Sequence, residues 1–179
     1  LRRAREAGRR RVTLLGGEPT IQPIFLEVVR GAVALGFEEI VIFSNGSRLA
    51  RPERIEAVLA TGGRFEWRLS FQGATEEAHE RTTRRRGSFR QLVAALGHLS
   101  ERDQKITVNT CVVRQNYDSL DRFPELLLPH NVHQLHVDMI HPDDTPAHAS
   151  VPKRGPPRFG LDDILVRYRD IAPSLRRMV

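Results

Sequence analysis

Two adjacent glycines followed by an acid and a proline, Gly16-Gly17-Glu18-Pro19, stand directly after a short apolar run and directly before a helical pattern. A glycine pair lets the backbone approach a ligand closely and adopt dihedrals that other residues avoid. Its N–H groups, with the backbone edge around Pro19, can hydrogen-bond a charged small molecule. Polar residues recur after the later apolar runs in the same place. They are Ser44, Asn45 and Gly46; Ser70, Gln72 and Gly73; Asn109 and Thr110, with Arg114, Gln115 and Asn116 just beyond; and Asp138, His141, Asp143 and Asp144. This is the chemistry of a binding rim rich in donors and acceptors. Each group also has a plainer reading: Asn45-Gly46 is a common turn, Asn109 can satisfy a neighbouring strand, and Asp138 can pair with an arginine.

The elements that must position these residues follow from the apolar pattern. Strand-like runs cover Val12 to Leu15, Ile40 to Phe43, Phe65 to Phe71, Ile106 to Val113 and Gln134 to Ile140. Helical patterns lie between them, over Ile21 to Leu35, Pro52 to Ala60, Ser88 to Leu99 and Leu120 to Leu128. Phe25, Val28, Val29 and Ala32 recur at three and four, Pro52 suits a first helical turn, and Ser88 is the expected cap of its helix. Val12 to Leu15 and Ile40 to Phe43 are apolar enough to be covered on both faces. Strands alternating with helices predict an α/β fold with a parallel sheet, open or curled into a barrel. In such folds the carboxyl ends of the strands share one rim, and ligands bind there. Residues 1–140 are expected to form this core and 141–160, rich in proline, a loop or lid. Residues 161–179 should form a helix leading out of the core, beginning with Leu161 to Ile171.

Composition narrows the function. The chain of 179 residues is 40% hydrophobic and 28% charged, an ordinary balance for a folded domain. Of the net charge of +6, most lies between Leu1 and Arg11, where six arginines face one glutamate. That stretch has no interleaved aromatics, so nucleic acid is not the expected partner. The single cysteine, Cys111, excludes a disulfide framework and reads as a small buried hydrophobe. No apolar run is long enough to span a bilayer, no signal peptide is visible at the amino end, and a cytoplasmic protein is expected. His136 and His141 with Asp138 are the one grouping that could hold a mononuclear metal. No structural-zinc spacing accompanies them, and no metal ligand is assigned. Leu1 to Ala7 reads as the back half of a helix, so the chain is expected to be a piece of a longer protein.

As a connected series, these motifs resemble the radical S-adenosylmethionine (SAM) family. Gly16-Gly17-Glu18-Pro19 is similar to its Gly-Gly-Glu-Pro motif, and Ser44-Asn45-Gly46 to its Thr-Asn-Gly at the next strand end. Leu69 to Gly73 is close to its Ser-Leu-Asp-Gly pattern, with Gln72 where an aspartate is usual. His79 to Phe89 resembles its stretch of histidine, acid and arginine before Gly-Ser-Phe. Val108 to Val113 with Asn116 resembles the strand that follows.

The resemblance implies a partial (β/α)6 TIM-like barrel, with the first β/α unit missing. It also implies SAM and a [4Fe–4S] cluster as cofactors. Gly16, Gly17, Glu18 and Pro19 would line the methionine end of SAM, with Asn45 at the next strand end. Ser70 and Asn109 would touch its ribose or carboxylate, and Gln72 would face ligand or substrate. The implied reaction is reductive cleavage of SAM to a 5'-deoxyadenosyl radical, followed by hydrogen abstraction from an unidentified small-molecule or peptide substrate. An electron donor such as flavodoxin or ferredoxin would feed it. The Cys-x-x-x-Cys-x-x-Cys loop that holds the cluster is absent from this sequence and is expected upstream of Leu1. The alternative is a degenerate barrel that serves as a binding module for an acidic partner. No acid, base or radical-quenching residue stands out; Tyr117, Tyr168 and Cys111 are equal candidates.

Overall fold

The computed structural model of the protein describes residues 1–139, 166 and 168–178. The proline-rich segment 141–160 and most of the expected helix after it lie outside the described residues. A short helix, α1 (Arg2–Glu6), leads into strand β1 (Arg11–Leu14). There follow α2 (Phe25–Ala34), β2 (Glu39–Ser44), α3 (Pro52–Leu59), β3 (Phe65–Ser70), α4 (Glu76–Thr83) and α5 (Ser88–Ser100). The remainder is β4 (Lys105–Val112), α6 (Phe123–Leu127), β5 (Val132–Met139) and α7 (Tyr168–Arg177). All strand pairs are parallel, and their order in the sheet is their order in the chain. That is the arrangement of a barrel wall, and it places every carboxyl strand end on one edge.

Side chains alternate between the faces of a strand, and the register sorts them. One face carries Ile40 and Ile42, Phe65, Trp67 and Leu69, then Ile106 and Val108. These are buried against Val29 and Ala32 of α2, Ile55 and Val58 of α3, and Leu92, Ala95, Leu96 and Leu99 of α5. The hydrophobic effect acts here, at about 25 cal/mol per Å² of apolar surface removed from water.

The opposite face is polar. Aligned rows cross it: Phe43, Arg68, Thr107 and Gln134; then Ser70, Asn109 and His136; then Cys111 and Asp138. At the amino edge the buried Glu66 carboxylate is held by Arg11 (2.8 Å), Arg68 (2.8 Å) and Lys105 (2.9 Å). The expectation that both faces of the first two strands are covered therefore holds for β2, where Val41 is buried as well. It does not hold for β1, an edge strand whose Thr13 is exposed.

Three local expectations change. Helix α2 starts at Phe25, because Pro19–Ile21 forms a separate 3-10 turn capped by the Glu18 side chain. Gly87 occupies the position before α5, and the Ser88 hydroxyl bonds back to the Arg85 carbonyl at 2.7 Å. The Phe89 N–H in the first turn of α5 is instead accepted by Glu80 Oε1 at 3.3 Å. Helix α4 was not evident from the sequence, since its exposed face carries Glu76, Glu77 and Arg81 and only Ala78 and His79 are buried. Thr75 caps it, accepting the Ala78 N–H at 3.3 Å.

Candidate binding rim

Gly16 and Gly17 follow β1 with φ of +101° and +58°, a region that disfavours side chains, and among the described residues a Cβ at either would meet nothing within 4 Å. The loop thus exposes bare backbone to open space at the rim. The next residue turns inward. One oxygen of the buried Glu18 carboxylate accepts from the Thr20 N–H (3.2 Å), the Thr20 hydroxyl (2.5 Å) and the Ser44 hydroxyl (2.9 Å). The other accepts the Asn45 N–H at 2.6 Å. Charge-assisted bonds of this kind are about twice as strong as neutral ones, and here they fasten the β1 loop to the end of β2. The Ser44 hydroxyl in turn accepts the Gly46 N–H at 3.0 Å, and Asn45 Oδ1 accepts the Ser47 N–H at 3.0 Å.

A second fastening joins β3 to β4. The fully buried Asn116 donates from Nδ2 to the carbonyls of Gln72 (3.0 Å) and Cys111 (2.8 Å), and its Oδ1 accepts the Val113 N–H at 2.8 Å. The Gln72 N–H is donated to His79 Nδ1 at 3.1 Å. Both backbone polar groups of Gln72 are therefore held by buried side chains. His79 sits among aromatic rings, 6.2 Å from Phe71 and 5.7 Å from Phe89 between centroids. Burial pushes its pKa down to about 4 and outweighs the opposing charge of Glu80, so the ring is neutral and its proton sits on Nε2. At Gly73 a Cβ would lie 2.6 Å from the His79 nitrogen and 2.8 Å from the Ala78 carbonyl carbon, so only glycine fits between the strand end and α4.

Ser70 and Asn109 are register partners, and His136 is the partner of Asn109 on β5. Asn109 Oδ1 and His136 Nε2 are buried atoms without a hydrogen-bond partner among the described residues. Buried polar atoms are normally satisfied, so this row fits a ligand that brings its own donors and acceptors. Cys111 and Asp138 lie one row nearer the rim, where burial first and then the Asp138 charge push the Cys111 thiol up.

Among the residues expected at the site, the loop of Gly16, Gly17, Glu18 and Pro19 is joined to Asn45 through the Glu18 carboxylate. Ser70 pairs with Asn109, and Gln72 is tied to the loop after β4. All lie toward the carboxyl edge of the sheet. His141, Asp143 and Asp144 fall outside the described residues. Sequence reasoning gave no role to Thr20 or Ser44 as Glu18 partners, and none to His79 or Asn116 as clamps. An asparagine four residues past the end of β4 was the one available signal. Among the described residues, no group of three His, Cys, Asp or Glu side chains could hold a metal, and no helix is long and apolar enough to cross a membrane.

A parallel β/α wall with a polar inner face and glycine-bearing loops on one rim defines a ligand-binding core of the TIM-like kind. Residues 1–127 match the sequence model of the Radical SAM superfamily, and the chain belongs to that family. It is 31% identical over 128 residues to the PqqA peptide cyclase of Ruegeria pomeroyi, which covers 71% of this chain and 33% of that protein. It is 38% identical over 118 residues to the mycofactocin maturase MftC of Mycolicibacterium smegmatis, covering 64% and 29%. A probable GTP 3',8-cyclase of Saccharolobus solfataricus is 26% identical over 139 residues, covering 78% and 44%. The chain therefore spans less than half the length of these relatives. Among solved structures, Streptococcus suis SuiB superposes with a TM-score of 0.69 at 18% identity, covering 98% of this chain and 37% of that one. SuiB bound to S-adenosylmethionine gives 0.66 at 19% identity, covering 78% and 32%.

The family implies SAM and an iron–sulfur cluster. The rim fits SAM: bare backbone at Gly16 and Gly17 faces open space, and Asn109 Oδ1 is orphaned. The cluster does not fit these residues, because it needs three thiolates and the chain has one cysteine, on the inner face of the sheet.

Proposed function

We propose that this chain is the SAM-binding wall of a radical SAM enzyme that abstracts hydrogen from a peptide. The observation that carries the reading is the Glu18 fastening, which joins the Gly-Gly loop to the end of β2 and leaves the glycines themselves open. SAM, once bound and reductively cleaved, supplies a 5'-deoxyadenosyl radical. The chain's own residues bind and orient. Gly16 and Gly17 offer backbone groups to the methionine end, with Glu18 and Pro19 shaping the loop and Asn45 beside it. Ser70 and Asn109 hydrogen-bond the ribose or carboxylate, and Gln72, clamped by His79 and Asn116, faces the ligand. Reducing electrons come from outside these residues, through a small redox protein such as flavodoxin or ferredoxin. A peptide substrate is favoured by the names of two similar proteins, the PqqA peptide cyclase and SuiB, the latter solved with its precursor peptide SuiA.

The test is SAM binding by this chain, measured by equilibrium dialysis at millimolar SAM. Asn109→Ala and Ser70→Ala should each weaken binding by about five- to tenfold, the size of one net hydrogen bond. Folded chain that retains no SAM would overturn the assignment. Under anaerobic reduction the chain alone should release no 5'-deoxyadenosine, for want of cluster thiolates; turnover would refute that.

A further inference from the structure

The inner face of the sheet carries an unbalanced charge network beneath the rim. Arg11, Arg68 and Lys105 share two carboxylates, Glu39 and Glu66. Three cations against two anions leave one positive charge. The least exposed of the three side chains is Arg68, at 21% against 47% for Arg11 and 41% for Lys105. It is fixed on two sides. Its Nε donates to Glu66 Oε1 at 2.8 Å, and its guanidinium lies 5.3 Å from the centroid of the Phe43 ring. Among the described residues it makes no other hydrogen bond, so the Nη edge of the fork has no partner.

Arg68 stands two residues before Ser70 on the same strand face, about 7 Å lower at the rise of a β-strand. Directly above it is the row holding the orphaned Asn109 Oδ1 and His136 Nε2. A pre-positioned guanidinium with a free edge matches a carboxylate through paired hydrogen bonds. Stacking on Phe43 and tethering to Glu66 remove the entropy that an arginine ordinarily loses on binding.

We propose that this inner face is a subsite for a carboxylate-bearing substrate side chain: Arg68 pairs with the carboxylate, and His136, one row nearer the rim, bonds an adjoining amide group. The proposal deepens the reading of the rim as the seat of SAM and names an acidic residue as the part of the peptide that enters. SAM carries a carboxylate too, and Ser70 and Asn109, assigned above to its ribose or carboxylate, lie one row nearer the rim than Arg68, so the SAM arm of the test separates the two ligands.

The probes are N-acetylglutamate amide, its uncharged isostere N-acetylglutamine amide, and SAM. Each is titrated separately into the chain, with the side-chain NMR signals of Arg68 and His136 as readout. The glutamate probe should shift both signals saturably and bind at least tenfold more tightly than the glutamine probe. Arg68→Met should abolish that preference and leave SAM binding unchanged, while Arg68→Lys should keep part of it. Equal binding of the two probes to the unaltered chain overturns the proposal, whether or not a variant folds. So does a glutamate preference that survives Arg68→Met, or a loss of SAM binding in that variant, which would assign Arg68 to the cofactor. Failure of SAM to bind while glutamate preference persists would instead sink the rim assignment and leave the floor standing.

Discussion

Replacing His79 tests whether the clamp on Gln72 is a neutral imidazole. Unfolded, this histidine takes up a proton near pH 6.5; folded, burial holds the proton off until about pH 4. Its folded pKa is depressed, so the stability it contributes is complete above pH 6.5 and is lost as pH falls toward 4. At about 1.4 kcal/mol per pH unit, the loss across that window is about 3 kcal/mol. His79→Asn places an amide oxygen near the position of Nδ1, where it can still accept the Gln72 N–H, and it does not titrate. The variant should lose stability at pH 7 through poorer contact with Phe71 and Phe89, yet lack this part of the acid sensitivity. Urea unfolding of both proteins at half-unit steps from pH 7 to pH 4 measures the difference. The stability gap between them should shrink by about 3 kcal/mol on acidification. Parallel curves would refute the reasoning, since carboxylates that titrate in both proteins cancel in the comparison.

Glu66→Gln should destabilise the chain by about 2 kcal/mol in urea unfolding at pH 7. That is less than the full cost of breaking a buried pair, because Arg11 and Lys105 are half exposed. Burial alone would raise the Glu66 pKa, but hydrogen bonds from Lys105 and Arg68 and their charges together hold it below the usual 4.5. Its contribution is therefore present above pH 4.5 and lost as pH falls through the lower folded value, and the variant should show no such loss. Gly73→Ala should cost about 1–3 kcal/mol in thermal or urea unfolding, because its Cβ meets the backbone of Ala78 and His79 rather than a movable side chain. An unchanged stability there would mean that the β3 loop moves freely. Glu18→Gln should cost about 1–3 kcal/mol and weaken SAM binding as well, since an amide cannot accept at both ends and one of its present donors loses its acceptor. Wild-type SAM affinity in that variant would show that the fastening does not shape the loop.

The sequence by itself determined the strands, most of the helices, their alternation and hence the parallel sheet, because these rest on periodicity and turn chemistry within a few residues. It also marked Gly16 to Pro19, Asn45, Ser70, Gln72 and Asn109, because polar residues at strand ends break an apolar pattern. Helix α4 escaped because it buries little apolar surface and so leaves little periodicity. Only the tertiary structure decided what holds those strand ends. Glu18 meets Ser44 across 26 residues of sequence and Asn116 meets Gln72 across 44, and neither contact exists until the register of the sheet is set. The polar inner face was hidden for the same reason. Arg68, Asn109 and His136 alternate with core residues on different strands, and parallel pairing alone brings them to one side.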